Sequence, residues 1–418
     1  MLTREDNEIL CRVGPGTPMG GLFRQFWIPA LLGEELVESD GKPVRVKLLG
    51  EDLVCFRDTD GRIGLLHERC PHRRTSLALG ANERCGIRCL YHGWKFDVDG
   101  NCVDTPGEPA TSTLKDRVKA VAYPTVERGG VIWTYMGPRE TMPAFPEYEW
   151  VNIPEGHYMA AKTQEECNYA QGLEGTIDTA HAGCLHRTVR WHDEGVLPHE
   201  QILTADVDVE YTNYGFRYAG QRELPDGSKH SRITAVPLPF FTLIPPDGTA
   251  GIRKHRRLVN AWVPRDDTST WHVQWFFDPV NPIDKEYRKR ETGVLFNADY
   301  TKKIGFAEWY GQDRELMKNH HFSGITGVVM EDHAVVETMG PISDRENENL
   351  GQSDIAVVAW RRIMLRAAKT FARTGELPEI LTSPDIDFGK IQSYEEIVPA
   401  HVDWKEALPL EKMFEPAD

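Results

Sequence analysis

The chain has 418 residues, with 48 Lys plus Arg against 64 Asp plus Glu and a formal charge of −16. That length accommodates two or three domains with a large buried core, and the acidic balance argues against nucleic acid or an anionic membrane as a partner. Eight Cys are too few for a disulfide framework, MLTREDNEILCRVG has no apolar leader segment, and no run of about 18 apolar residues occurs, so the expectation is a cytoplasmic protein with no membrane anchor. In chain order, Thr3 is placed to cap a helix over residues 4–13, with Asp6 at the box position and Gly14 as its stop. Residues 43–66 alternate as strands, separated by turn signals at Gly50-Glu51-Asp52 and Asp60-Gly61; Asp99-Gly100 marks a further hairpin, and Val131–Tyr135 completes the set. Residues 138–157, rich in Pro and Glu, read as a linker. Gln164 to His181 reads as a helix. Residues 205–277 alternate again, with a turn at Asp226-Gly227 and a central strand over Trp271–Phe277. Ser353 or Asp354 is placed to cap a long amphipathic helix through Arg373, closed by Gly375. The fold class is therefore α+β: a small all-β domain over residues 26–138 and a larger α+β domain over 139–418, an antiparallel sheet flanked by helices. Residues 1–25, a helix and a loop, are expected to pack on the larger domain.

Cys70-Pro-His72, sixteen residues, then Cys89-Leu-Tyr-His92 combines soft thiolates with borderline imidazoles. Zinc sites commonly take two Cys from one knuckle and two His from another. Here each half offers one Cys and one His, as when two loops close over a binuclear [2Fe–2S] cluster in which one iron keeps two Cys and the other takes two His. The flanks, Cys70-Pro-His72-Arg73-Arg74 and Cys89-Leu-Tyr-His92-Gly93-Trp94-Lys95-Phe96, resemble the two loops of Rieske [2Fe–2S] proteins. Cys85 has no His two residues beyond it and reads as a structural thiol.

A second constellation runs from Asn168 to His186. Two His plus one carboxylate form the facial triad of mononuclear non-heme Fe(II) enzymes, which leaves coordination positions open. Five residues advance about 500° on a helix, so His181 and His186 converge only if the helix ends or distorts between them, and Gly183 can permit that. Asp178, three residues before His181, can hydrogen-bond its imidazole. Candidates for the third ligand are Glu331, Asp332, Glu337 and Asp344.

Together these motifs resemble the α (oxygenase) subunit of Rieske non-heme iron ring-hydroxylating oxygenases, whose iron motif matches Asn-x₅-Glu-Gly-x₂-Asp-x₂-His-x₄-His here. The resemblance implies Asp332 as the third iron ligand, with Glu337 following it, and Glu331 as runner-up. It implies a head-to-tail ring of subunits in which Asp178 bridges an iron His to a cluster His, His72 or His92, of the next chain. The opening Val13-Gly-Pro-Gly-Thr-Pro-Met-Gly, Phe26-Trp27-Ile-Pro-Ala, Tyr123–Trp133 and Met339–Arg345 resemble the phthalate dioxygenase branch. That branch implies a homotrimer or homohexamer and O₂ as co-substrate. The cofactors implied are a [2Fe–2S] cluster and mononuclear Fe(II). It also implies a separate NAD(P)H-dependent reductase carrying FMN and a plant-type [2Fe–2S] cluster, consistent with the absence of a G-x-G-x-x-G fingerprint here.

The implied activity is an aromatic-ring-hydroxylating dioxygenase of the EC 1.14.12 type. Its substrate would be an aromatic carboxylate, isophthalate or phthalate first, cis-dihydroxylated. A monooxygenase or O-demethylase would use the same metals. A bare electron carrier would leave some 280 residues unexplained. A carboxylate calls for a cationic anchor, best an Arg. Arg217, Arg222, Arg232 and Arg253 stand in the sheet region, followed by Lys254-His255-Arg256-Arg257. Arg222, Arg232 and Arg253 are carried forward, although alternation alone does not choose among them. Tyr169 stands where the family often has Trp, and Gly172 where a larger residue is common, which would open a roomier pocket near iron.

Overall fold

The computed structural model describes residues 1–187, 202–245, 255–286, 294–377, 382 and 385–410. The chain divides into two compact units: Val13–Pro146 with Pro264–Asp266, and Met1–Arg12 with Glu147–Val263 and Asp267–Asp418.

The first unit is all-β apart from short helical turns. Strands β1 (Trp27–Leu32), β10 (Thr125–Arg128) and β11 (Val131–Tyr135) form one antiparallel sheet in the order β1-β11-β10. A second sheet has the order β2-β3-β4-β9, from Val44–Leu48, Glu51–Arg57, Ile63–His67 and Ala122–Tyr123. A third, β5-β6-β7-β8, is built from Ala81–Asn82, Ile87–Arg88, Lys95–Phe96 and Cys102–Asp104. Val54, Phe56, Leu66, Leu77, Ile87, Trp94 and Phe96 form a core that also includes Cys70 and Cys89. Residues 13–25, expected on the larger domain, belong to this unit instead. Thr17 caps the Pro18–Phe23 helix, whose Met19, Leu22 and Phe23 are buried, and Arg24 pairs with Glu51 of β3.

The second unit is α+β. Its eight-stranded antiparallel sheet has the order β12-β18-β17-β16-β15-β14-β13, with β19 beside β15. The strands are β12 (Tyr158–Glu165), β13 (Asp206–Thr212), β14 (Gly215–Glu223), β15 (Lys229–Pro237), β16 (Phe241–Ile244), β17 (Arg257–Pro264), β18 (Thr270–Phe277) and β19 (Tyr394–Val398). As expected, β18 is an interior strand, and the Ile355–Thr374 helix is closed by Gly375 at φ 73°. The Arg4–Cys11 helix is capped by the Thr3 side chain but ends at Arg12, before Gly14.

Two further expectations fail. Gln164–Cys167 is not helical: Gln164 and Glu165 finish β12, and the helix begins at Tyr169 behind an Asn168 cap. Good helix formers lose here to pairing with Trp271 and Thr270 of β18. Nor is 138–157 merely a linker, since Tyr148 and Trp150 are buried and stacked on one another.

Candidate metal centres

In the first unit, two loops present the four residues of the leading motif. One follows β4 and is closed by Cys70 N–H to Thr75 O (2.8 Å) and Arg74 N–H to Cys70 O (2.9 Å). The other joins β6 to β7 and is closed in the same way, by Cys89 N–H to Trp94 O (2.8 Å) and Gly93 N–H to Cys89 O (3.0 Å). Gly93 sits at φ +74°, and a Cβ there would lie 2.7 Å from Pro106 Cγ, so glycine is required. Cys70 and Cys89 are buried, while His72 and His92 are exposed with ring centroids 4.5 Å apart. The His72 ring lies flat on Trp94 at 4.3 Å. The donors thus pair two and two, sulfur inside and nitrogen outside, which fits a binuclear cluster with unlike ends. Burial pushes the Cys70 thiol up to about 11, so a thiolate there calls for a bound cation. Cys85 donates to Asp60 Oδ2 (3.3 Å), away from this arrangement.

In the second unit, the Tyr169–Ile177 helix stops at Asp178, earlier than Gly183. Asp178 turns its carboxylate back to accept Ala180 N–H (2.7 Å) and His181 N–H (3.2 Å). His181 and His186 then flank a single turn, Ala182–Leu185, with ring centroids 5.2 Å apart. The Val328–Glu337 helix brings up Asp332, whose Oδ1 lies 3.1 Å from His186 Nε2 and 3.5 Å from His181 Nε2. Each imidazole is backed at its other nitrogen, His181 Nδ1 by Asp178 (3.4 Å) and His186 Nδ1 by Glu331 (2.7 Å). Two Nε2 atoms and one carboxylate oxygen therefore converge, with carboxylates orienting the rings from behind. Burial disfavours the imidazolium at both His. Asp178 and Asp332 outweigh it at His181, and Asp332 and Glu331 at His186, raising them to about 10 and about 9. Glu337 and Asp344 lie elsewhere: Glu337 accepts from Lys302 and Tyr310, and Asp344 from Asn347.

Among the described residues a second group, Glu165, His272 and His333, also has donor atoms close enough to share an ion. Sequence reading missed it, because its members are scattered from β12 to β18 to the Val328–Glu337 helix with no motif spacing. It is sealed, with all three residues at most 3 % exposed. Its donors are already engaged: Glu165 by Lys302 (2.8 Å), Thr163 (3.0 Å) and His333 (3.0 Å), and His272 by Asn260 (2.9 Å). Burial lowers His272 to about 3 and His333 well below its usual range, so both are neutral. Lys302 lies against Glu165, yet burial still raises that carboxyl to about 8, so it is a poor anionic ligand. The His181–His186–Asp332 group is instead partly open to solvent, as a centre with free coordination positions must be.

Beside the His pair, Tyr218, Gly220 and Arg222 of β14 share a face with Thr234, Arg232 and His230 of β15. That face abuts the chain just before His181. Tyr218 Oη donates to Ile177 O, Thr179 fills the space over Gly220, and Arg222 donates to Thr179 O (3.2 Å) and Ile202 O (3.1 Å). Neither Arg222 nor Arg232 pairs with a carboxylate among the described residues, and burial together with Arg232 lowers the pKa of Arg222. Arg217 points to the opposite face, paired with Glu210 and lying over Trp404. Arg253 and Lys254 lie outside the described residues. The roomier pocket expected at Gly172 does not exist: a Cβ there would lie 2.0 Å from the Trp262 ring, which fills the space. Tyr169 is buried against the N-terminal helix, donating to Leu10 O (2.8 Å).

Residues 26–121 match the Rieske [2Fe-2S] domain model, and residues 134–415 match the LigXa C-terminal domain like model. The chain is 41 % identical to the phthalate 4,5-dioxygenase oxygenase subunit of Pseudomonas putida, over 97 % of this chain and 94 % of that one. The chain belongs to the Rieske non-heme iron oxygenases, as an oxygenase subunit of the phthalate dioxygenase-like branch. It is 38 % identical to the 3-chlorobenzoate-3,4-dioxygenase oxygenase subunit of Comamonas testosteroni, over 97 % and 98 % of the two chains. Its fold matches the terminal oxygenase of carbazole 1,9a-dioxygenase from Nocardioides aromaticivorans IC177, with a TM-score of 0.59 and 19 % identity over 88 % and 98 % of the chains. As in this family, the cofactors are a Rieske [2Fe–2S] cluster and a mononuclear iron. No helix among the described residues is long and apolar enough to cross a membrane.

Proposed function

We propose that this chain is the oxygenase component of a two-component Rieske dioxygenase that cis-dihydroxylates an aromatic carboxylate, isophthalate or phthalate foremost. The observation that carries the substrate class is the pair Arg222 and Arg232 on the sheet face beside the Asp178–His181 segment, neither in an ion pair among the described residues, although Glu395 of β19 lies across from Arg232. Arg222 is buried and Arg232 half-buried, and a planar carboxylate supplies two acceptors in the geometry a guanidinium fork matches. Both relatives described above act, by their names, on aromatic carboxylates.

In this reading Cys70, His72, Cys89 and His92 hold the cluster, and His181, His186 and Asp332 hold iron. When bound, the two centres supply one-electron transfer and O₂ activation. The chain's own residues do the rest. Asp178 and Glu331 fix the ring orientation of the His pair, and Arg222 and Arg232 hold the carboxylate so that the ring edge faces the centre. Asp178, with side-chain exposure of 25 %, is the bridge to a cluster His of a neighbouring subunit in a homotrimer or homohexamer. Electrons come from a separate NAD(P)H-dependent reductase with FMN and a plant-type [2Fe–2S] cluster. Eight Cys in 418 residues, two of them assigned to the cluster, fit a reducing, cytoplasmic location.

The test is a panel of benzene carboxylates assayed for coupled NADH oxidation and O₂ uptake with such a reductase. Stimulation by isophthalate or phthalate is expected. Uptake stimulated only by uncharged aromatics would refute the carboxylate assignment.

A further inference from the structure

The Val328–Glu337 helix does more than deliver Asp332 and Glu331. At its last turn Glu337 Oε1 accepts from Lys302 Nζ (2.7 Å) and Glu166 N–H (2.7 Å), and Oε2 accepts from Tyr310 Oη (2.6 Å). The other two Lys302 donors go to Glu165 Oε2 (2.8 Å) and Gln164 O (2.8 Å) at the end of β12. All three ammonium hydrogens are used, and the Lys302 side chain is 6 % exposed.

We propose that Lys302 is a positioning residue for the mononuclear metal centre: by clamping Glu165 to Glu337 it sets the rotation and height of the helix that carries Asp332. The inference rests on reading His181, His186 and Asp332 as that centre. The helix start has no side-chain cap, with Gly327 at its N-cap at φ 95°; Ser323 holds Glu331 in its first turn, His333 reaches Glu165, and Lys302 adds the tie at its last turn. Asp332 and Glu337 are roughly 7.5 Å apart along the axis, within one rigid segment. A rotation of about 15° would carry an off-axis carboxylate through roughly 1.5 Å, beyond the ~0.5 Å within which a metal-ligand set must be held. Without Lys302 the two buried carboxyls lose the ammonium that bridges them; at least one takes up a proton, and the tie between β12 and the helix end is lost.

The test titrates Fe(II) alone into protein that retains its cluster but has been stripped of mononuclear iron, in anaerobic competition with a chromogenic chelator. In Lys302→Met the Fe(II) affinity is expected to fall by about 10–100-fold. The EPR signature of the nitric oxide adduct at that centre should change while the visible spectrum of the cluster does not, and Lys302→Arg should recover most of the affinity. Asp332→Ala controls for the underlying reading. If it binds Fe(II) like wild type, the centre is misassigned. If it loses Fe(II) while Lys302→Met binds within about two-fold of wild type, even with a lowered Tm, the clamp is overturned. Should Lys302→Met not accumulate as folded protein, Glu337→Gln, which keeps the side-chain shape, is judged by the same criteria.

Discussion

Glu331 stands 2.7 Å behind His186, its Oε2 against the imidazole Nδ1. In the proposed centre, the runner-up for third ligand backs His186 and leaves the third position to Asp332. Its other oxygen accepts from Ser323 Oγ, so the carboxylate is held at both ends. Glu331→Ala frees the ring and takes away the acceptor of the Ser323 hydroxyl, whose oxygen still accepts from Ile325 N–H (3.1 Å). Iron content measured on purified protein should show affinity for mononuclear iron reduced by about 10–100-fold with the cluster intact. Complete and specific loss of iron, as severe as for Asp332→Ala, would instead make Glu331 a direct ligand.

Asp178 accepts from two backbone N–H groups as well as facing His181 Nδ1. Asp178→Asn keeps the shape but turns an amide group toward one of those donors and removes the charge. Both metals should stay bound, while reoxidation of the reduced cluster in a single turnover with substrate and O₂ slows by about 10²-fold or more. A variant with unchanged single-turnover kinetics would remove Asp178 from the route between centres.

Arg222 and Arg232 should act on substrate binding rather than on chemistry. Replacing either with Met is expected to raise KM for a benzene carboxylate by about 10–100-fold with kcat little changed, the value of a charged hydrogen bond. Unchanged KM in both variants would move the anchor to another cation, with Arg253 next in line.

His181 and His186 are raised to about 10 and about 9 by Asp178, Asp332 and Glu331 against the opposing effect of burial. A metal needs both imidazoles neutral, so iron must displace protons in the neutral range. Fe(II) affinity should therefore rise with pH from 6 toward about 9, and calorimetry in buffers of different ionisation enthalpy should detect proton release. In metal-free protein the folded pKa values lie above the unfolded value near 6.5. The His–carboxylate pairing then contributes its full stability below about 6.5 and loses it as pH rises through about 9–10. A Tm of the metal-free protein that increases over that upper window would contradict the pairing.

Local motifs were legible and distant ones were not. Cys70, His72, Cys89 and His92 lie in two loops, each closed by hydrogen bonds spanning four or five residues, so spacing alone carries the pattern. His181 and His186 stand out for the same reason. What spacing could not show is that the helix yields at Asp178 rather than Gly183, because the Asp178 carboxylate competes for the N–H groups of Ala180 and His181. The proposed third ligand comes from about 145 residues away, where spacing alone leaves four acidic candidates; the family resemblance pointed to Asp332, and the fold brings that carboxylate to the His pair. Glu165 and Lys302 left no signal, since each alone reads as an ordinary surface charge, and Glu337 stood out as a ligand candidate instead of as their partner. Gly172 misled for a packing reason: the volume it vacates belongs to Trp262.

The most direct test of the whole reading is a turnover under ¹⁸O₂ with isophthalate or phthalate and a reductase, followed by mass analysis of the product. Two ¹⁸O atoms on adjacent ring carbons are expected, and their loss in the Asp332→Ala variant should accompany loss of mononuclear iron. A product carrying one label would make the chain a monooxygenase. An unlabelled aromatic recovered intact, with the cluster still reducible, would contradict an oxygenase role on these substrates.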